Sequence, residues 1–194
     1  MGQEKKIDTK LLDSAIKFAV DAHSGTERRG KDFPYIVHPM EAVSIVATIT
    51  SDQEILAAAV LHDVIEDTKI TKEDLINEFG DRIANLVASE TDLIIDNKSE
   101  IDSWVERKEY AIKRLAKLDR DAKIVSLGDK LSNARAMLND YKLIGEKLWD
   151  KFHVNDPKLH KWHYFGLRDS LRELSDTFAY QEFSSIIDEL FYKY

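Results

Sequence analysis

The densest chemistry in this 194-residue sequence is His62-Asp63 followed by Glu66-Asp67, an imidazole and three carboxylates set into the apolar run that begins at Ala57. On a continuous helix, at roughly 100° per residue, these four side chains share an arc of about 140° on one face. Beside Val60, Leu61, Val64 and Ile65, unpaired groups of this kind would cost several kcal/mol each to bury, and a divalent cation is the simplest compensation. An isolated His-Asp pair is ordinarily a salt-bridged helix edge. Here two further residues shift the balance: His38 in Tyr35-Ile36-Val37-His38-Pro39, and Asp129 in Leu127-Gly128-Asp129-Lys130-Leu131. Two neutral imidazoles and two carboxylates suit manganese, iron, cobalt or zinc better than calcium. Upstream of His38, the cluster Arg28, Arg29 and Lys31 has the chemistry to neutralise phosphate or stack on a base, although such a cluster alone is more often a solvated loop.

The spacing His38…His62-Asp63…Asp129 resembles the H…HD…D signature of the HD-domain metal-dependent phosphohydrolases. In chain order, RRGKDFPYIVHP, AAAVLHDVIEDT, NEFGDRIANLVASETD and LGDKLSNARAM resemble the blocks of the RelA/SpoT-type hydrolase domain, the branch that removes the 3′-pyrophosphate of ppGpp and pppGpp. That likeness covers about residues 10–140, and the rest is similar, more loosely, to the small stand-alone alarmone hydrolases. The resemblance implies metal ligands at His38, His62, Asp63 and Asp129, with manganese as the ion. It implies a water-activating acidic pair at Glu66 and Asp67, and nucleotide contacts from Arg28, Arg29, Lys31, Asn133 and Tyr164.

The acidic pair makes physical sense, because a water whose pKa is lowered by a metal can lose its proton to a carboxylate one turn beyond the ligands. Spacing does not say which of the two is the base. A purely capping role at the end of a long helix would set negative charge against the macrodipole. Ser132 and Ala136 stand where the long bifunctional relatives usually have histidine and threonine, which leaves open how base and ribose are held. Lys130 and Arg135 read either as site residues or as structural ion pairs. Tyr164 is either a nucleotide contact or core. His160 and His163 share a helix face but lack an acidic neighbour, so they read as surface or packing residues; His23 reads as structural or as a partner of the ligands. Leu167, Leu171, Leu174 and Phe178, with Trp104 and Trp149, read as core.

The elements that must position these groups are helical. Few glycines and prolines, with abundant Leu, Ile, Ala, Glu and Lys, predict an all-α chain in one compact multi-helix domain over 1–194. A first helix runs from an N-cap at Asp8 or Thr9 to Ser24-Gly25, and Thr26 to Val37 is a loop feeding a helix that starts near Pro39. Ser51-x-x-Glu54 predicts a capping box before one continuous helix through His62 to Thr68, and Thr71-x-x-Asp74 a weaker one before a helix ending at Phe79-Gly80. Further helices are expected over 81–92, 100–117, 120–138, 140–150, 157–177 and 178–194, with an ambiguous joint from Asp92 to Glu100.

Composition bounds the function. No cysteine is present, which removes disulfides, thiolate metal sites and cysteine nucleophiles and fits a cytoplasmic setting. No window is apolar enough to span a membrane, and a net charge of −8 argues against sequence-independent nucleic-acid binding. The expected partner is a small nucleotide; a homo-oligomer is left open. The expected activity is metal-dependent release of pyrophosphate from guanosine alarmones. Action on an adenosine alarmone, NADPH or a 5′-nucleotide, and a nucleotide-binding regulator without turnover, are the alternatives.

Overall fold

The computed structural model describes residues 8–91, 99 and 101–194. The joint from Asp92 to Glu100 lies outside the described residues except for Ser99. Among the described residues the chain is all-α, with one isolated antiparallel bridge between Glu27 and Pro34. The helices are α1 (Lys10–Ala22), α2 (Val37–Val46), α3 (Gln53–Leu61), α4 (Val64–Asp67), α5 (Lys72–Phe79), α6 (Asp81–Ala88), α7 (Trp104–Leu115), α8 (Arg120–Ile144), α9 (Pro157–Ser170) and α10 (Phe178–Phe191). None of them is long and apolar enough to cross a membrane.

The centre of the molecule is α3, which is buried at every position from Ile55 to Leu61. A helix apolar all round finds no solvent-facing side, so it is packed on several. α1 and α2 lie against it, α6 and α8 close further sides, and fully buried Ala15 and Ala19 on α1 match the small residues Ala57, Ala58 and Ala59 on α3. α8 is the second axis; its stretch from Ala122 to Asp129 is buried throughout, and it carries α2 on one side and α10 on another. Arg82 of α6 ties helix starts together, donating to Asp52 (2.9 Å), Asp121 (2.8 Å) and Glu54.

Several expectations are corrected. Asp52, not Ser51, caps α3, because its carboxylate accepts from the Glu54 amide. The helix expected to run unbroken through His62-Asp63 ends at Leu61 and restarts at Val64. The two helices expected over 120–138 and 140–150 are a single 25-residue α8 followed by a 3₁₀ segment, Gly145–Lys151, and the break falls where Gly145 adopts positive φ. The helix expected over 157–177 stops at Ser170, and a short 3₁₀ turn, Arg172–Leu174, changes its phase. That phase change explains Phe178: Leu167, Leu171 and Leu174 are buried as expected, but Phe178 is 87% exposed at the start of α10. Trp149 is buried among Phe191, His160 and Tyr194, whereas Trp104 is only partly covered. The Thr71/Asp74 capping box forms as expected.

One contact fixes how closely α2 and α8 cross. A Cβ on Gly128 would lie 2.7 Å from Val46 Cγ2 and 3.0 Å from the Ala42 carbonyl oxygen, so only glycine lets the backbones meet there. Alanine is the better helix former by propensity, so a loss on substitution isolates the crossing. Gly128→Ala is expected to destabilise the fold by about 1–3 kcal/mol, roughly 2–4 °C in Tm per kcal/mol for a chain of this size. Thermal melts read by circular dichroism check this, and an unchanged or raised Tm would show that the crossing tolerates a side chain.

Candidate metal centre and adjoining cavity

The break in the central helix is built by the His-Asp pair itself. His62 follows α3, and its Nδ1–H donates to the Ala59 carbonyl at 2.9 Å, satisfying one of the acceptors that a helix end leaves open. Asp63 then turns with φ −98° and ψ −2°, and its carbonyl accepts the Asp67 amide (2.9 Å) to restart the chain as α4. The bond to Ala59 also assigns the tautomer, since a ring nitrogen facing a carbonyl must carry the proton, and His62 Nε2 is left to face inward.

His38 enters from the first turn of α2, with Nδ1 bonded to Ser132 Oγ at 2.7 Å. Its Nε2 lies 3.3 Å from His62 Nε2 and 3.1 Å from Asp129 Oδ1. Asp63 Oδ2 is 2.8 Å from His62 Nε2 and 3.6 Å from His38 Nε2. His38, His62 and Asp129, all buried, offer ligand atoms within 4.8 Å of one another, and Asp63 adjoins both imidazoles. Electron-rich atoms this close repel unless a cation or shared protons balance them. The nitrogen and oxygen donors, with both Nε2 atoms aimed into the same space, fit a first-row divalent metal.

Within this cluster the side chains shift one another's pKa values. Burial pulls the His62 pKa down, but the Asp63 and Asp129 carboxylates outweigh it and hold the imidazole well above its ordinary value. Burial likewise pushes Asp129 up, yet Lys130 and the two histidines keep it well below the usual carboxylate range; Asp63 is lowered despite burial by His62 and His38. His23 is buried beside the Tyr35 ring (centroids 4.9 Å apart), and its pKa is lowered chiefly by burial.

Each sequence-derived candidate has a definite place. Arg28, Arg29, Lys31, Asn133 and Tyr164 all line one cavity of about 440 Å³. Asn133 joins it to the centre: its amide donates to Asp129 Oδ1 while its carbonyl accepts Arg28 Nη2 at 2.7 Å. Lys31 is paired with Asp140, which Lys151 also reaches at 3.0 Å, so part of the expected positive mouth is already neutralised. Arg29 Nη2 meets His153 Nε2 at 2.8 Å. The Tyr164 ring packs near Phe183 and Phe191, as a core residue would, and also borders the cavity.

Glu66 and Asp67 are exposed on α4 and do not line the cavity. Because α4 is only four residues long, they lie in its first turn, and the dipole objection to a capping role, which assumed a long helix ending there, no longer holds. What ties Asp67 to the centre is Tyr35, whose hydroxyl donates to Asp63 Oδ2 at 2.7 Å and also lies beside Asp67. Burial and these two carboxylates raise the phenol pKa far above its ordinary value, so Tyr35 remains a donor.

Arg135 is an ion-pair residue, bonded to Glu41 and Glu182, and Lys130 bridges Asp129 and Glu90. His160 and His163 are buried, with His160 Nε2 bonded to the Val154 carbonyl at 2.7 Å, as packing residues would be. Sequence reasoning missed Tyr35 and Glu41, although Tyr35 stands inside the PYIVHP motif, and it linked Ser132 to base and ribose, whereas its hydroxyl meets His38 and Glu41. It also missed Trp104, Arg107 and Lys108 of α7 and Lys151 on the cavity wall. Trp104 reads as core, and the only sequence signal of Arg107, Lys108 and Lys151 is charge on helix surfaces, indistinguishable from a solvated face.

A divalent metal held at His62 Nε2 competes there with a proton that the Asp63 and Asp129 carboxylates favour. Its affinity is therefore expected to rise with pH from 6 upward until the raised His62 pKa is passed, with proton uptake by buffer on binding. Calorimetric titration in two buffers of different ionisation heat measures both; pH-independent affinity would remove His62 from the set that binds.

The sequence profile of the HD domain family matches residues 15–148. Over 136 residues, 66% of the chain, it is 35% identical to the guanosine-3′,5′-bis(diphosphate) 3′-pyrophosphohydrolase of Vibrio cholerae. It is 30% identical over 175 residues, 87% of the chain, to the GTP pyrophosphokinase rsh of Brucella suis. The chain spans 18% and 22% of the lengths of these two relatives. Among solved structures, lmo0812 of Listeria monocytogenes EGD-e superposes with a TM-score of 0.70 at 27% identity, covering 80% of this chain and 99% of that one. A metazoan ortholog of SpoT that hydrolyzes ppGpp superposes with a TM-score of 0.72 at 24% identity, covering 98% of both chains, a likeness of fold.

Proposed function

The chain belongs to the HD domain family, and on that premise we propose that it is a metal-dependent hydrolase removing the 3′-pyrophosphate of guanosine alarmones, acting over 1–194 as one HD-type unit in the cytoplasm. The observation that carries this reading is the adjacency of buried His38, His62 and Asp129, with Asp63 beside them, to a 440 Å³ cavity whose wall, among the described residues, holds six cations and one carboxylate, Asp140. A cavity of that size suits a nucleotide-sized ligand. The excess of Arg and Lys suits one bearing several phosphates. The name of the Vibrio cholerae relative lends support to the guanosine alarmone over other nucleotides, and that of the Brucella suis relative to a guanine nucleotide.

In this reading His38, His62, Asp63 and Asp129 hold a divalent ion, manganese by preference. When bound, the ion supplies Lewis-acid charge neutralisation at phosphorus and acidifies water. Asn133 fixes the Asp129 carboxylate and Arg28 together, so the ligand and the first phosphate-binding cation share one orientation. Tyr35, held protonated, orients Asp63 Oδ2. Arg29, Lys31 and the Tyr164 ring receive phosphate and base. The attacking water bonds to phosphorus as the bond to the ribose 3′-oxygen breaks, and that oxygen leaves as a hydroxyl by taking a proton from solvent. A carboxylate oxygen of Glu66 or Asp67 takes the water's proton, and Asp67 is tied to the ligand Asp63 through Tyr35.

Purified protein supplied with manganese is expected to release pyrophosphate from ppGpp, and EDTA to abolish it. Release of orthophosphate from 5′-GMP, or faster turnover of an adenosine alarmone or NADPH, would replace the substrate assignment; binding of ppGpp with no turnover would indicate a regulator. Asp67→Asn and Glu66→Gln are both expected to retain manganese, and loss of the base lowers kcat by about 10²–10⁴-fold. Normal kcat in both variants would exclude the acidic pair from proton transfer.

A further inference from the structure

Behind His38, on the side away from the other ligands, runs a chain of hydrogen bonds that the reaction itself does not use. His38 Nδ1 meets Ser132 Oγ at 2.7 Å, and Ser132 Oγ–H donates to Glu41 Oε2, also at 2.7 Å. Arg135 holds the other oxygen of Glu41 at 3.1 Å and is itself clasped by both oxygens of Glu182 on α10, each at 2.7 Å. A hydroxyl has one proton to give. Glu41 is a carboxylate pinned by a guanidinium, so it is an acceptor only, and it claims that proton. Ser132 Oγ must then accept from His38 Nδ1–H, so that in the neutral imidazole, the form that binds a metal, Nε2 is the lone pair aimed at His62 and Asp129.

The first link is closed to solvent, His38 being 3% and Ser132 1% exposed, so water offers no substitute partner for Nδ1. His62 reaches the same tautomer by a different route, through the Ala59 carbonyl. A histidine ligand whose remote nitrogen donates into a carboxylate is both oriented and made more basic. Here a serine is interposed between the two.

We propose that Ser132 and Glu41 are positioning residues of the metal centre, acting through His38, with Arg135 anchoring Glu41. The inference rests on the reading of His38 as a metal ligand but not on the identity of the substrate, so it is tested by metal binding alone. Cobalt(II) is titrated into metal-free protein and followed by its ligand-field absorption. Ser132→Ala is expected to weaken binding about 10–100-fold and to shift the absorption bands. Glu41→Ala should weaken it in the same direction, while Glu41→Gln, which keeps an acceptor for the Ser132 hydroxyl, stays within about threefold of wild type.

Because the two residues act along one route, the double variant Ser132→Ala/Glu41→Ala should bind no more weakly than Ser132→Ala. Binding within twofold of wild type with an unchanged spectrum in Ser132→Ala, or fully additive losses in the double variant, overturns the proposal. His38→Ala separates the two levels: if it binds cobalt as wild type does, the ligand reading fails and the relay with it. If His38→Ala loses cobalt and Ser132→Ala does not, only the relay fails. Circular dichroism of each metal-free variant establishes folding, and should Ser132→Ala not fold, the half-exposed Glu41 variants decide alone by the same criterion.

Discussion

Everything at the centre follows from how closely α2 and α8 cross. At Gly128 no side chain separates them, and the Ala42 carbonyl and Val46 fill the space that a Cβ would take. The next residue is Asp129 and one turn later comes Ser132, so a single contact brings His38 against both, at 3.1 Å and 2.7 Å. The buried α3 then delivers His62 to the same spot. The arrangement owes little to local propensity at the ligands themselves; it is set by backbone proximity one residue away.

The charges are sorted in two zones. Inside, His62, Asp63 and Asp129 balance one another, with Lys130 adding positive charge at Asp129. The chain as a whole is acidic by eight charges, yet the cavity wall gathers Arg28, Arg29, Lys31, Arg107, Lys108 and Lys151. Asp140 offsets part of this by holding Lys31 and Lys151, and its own pKa is lowered by these two cations in spite of burial. A local field of this kind can draw in an anion that the net charge would repel.

Much of this was legible in the sequence, and the failures have identifiable causes. The apolar run of α3, the Thr71 cap and the helical periodicity of α1 follow from local patterns. The motif carrying His38, His62, Asp63 and Asp129 was readable because residue type and order survive without coordinates. The helix break at His62-Asp63 was not, since it depends on a side chain reaching back to the Ala59 carbonyl in competition with the regular ladder. Nor was the exposure of Phe178, because a three-residue 3₁₀ turn resets the phase that periodicity assumes to be constant. The α7 and Lys151 wall of the cavity was invisible for a third reason: it is assembled by tertiary packing from charges that look solvated one helix at a time.

His38 and Ser132, in contact in the folded chain, are 94 residues apart in sequence. Bringing such distant points together costs loop-closure entropy before any ligand meets a second one, and only the packing of α2, α3 and α8 can offset it. The donor set therefore exists only where α2, α3 and α8 are packed together. An unfolded chain offers an ion only scattered single ligands, so an ion bound to the completed centre selects for the finished fold and slows its loss.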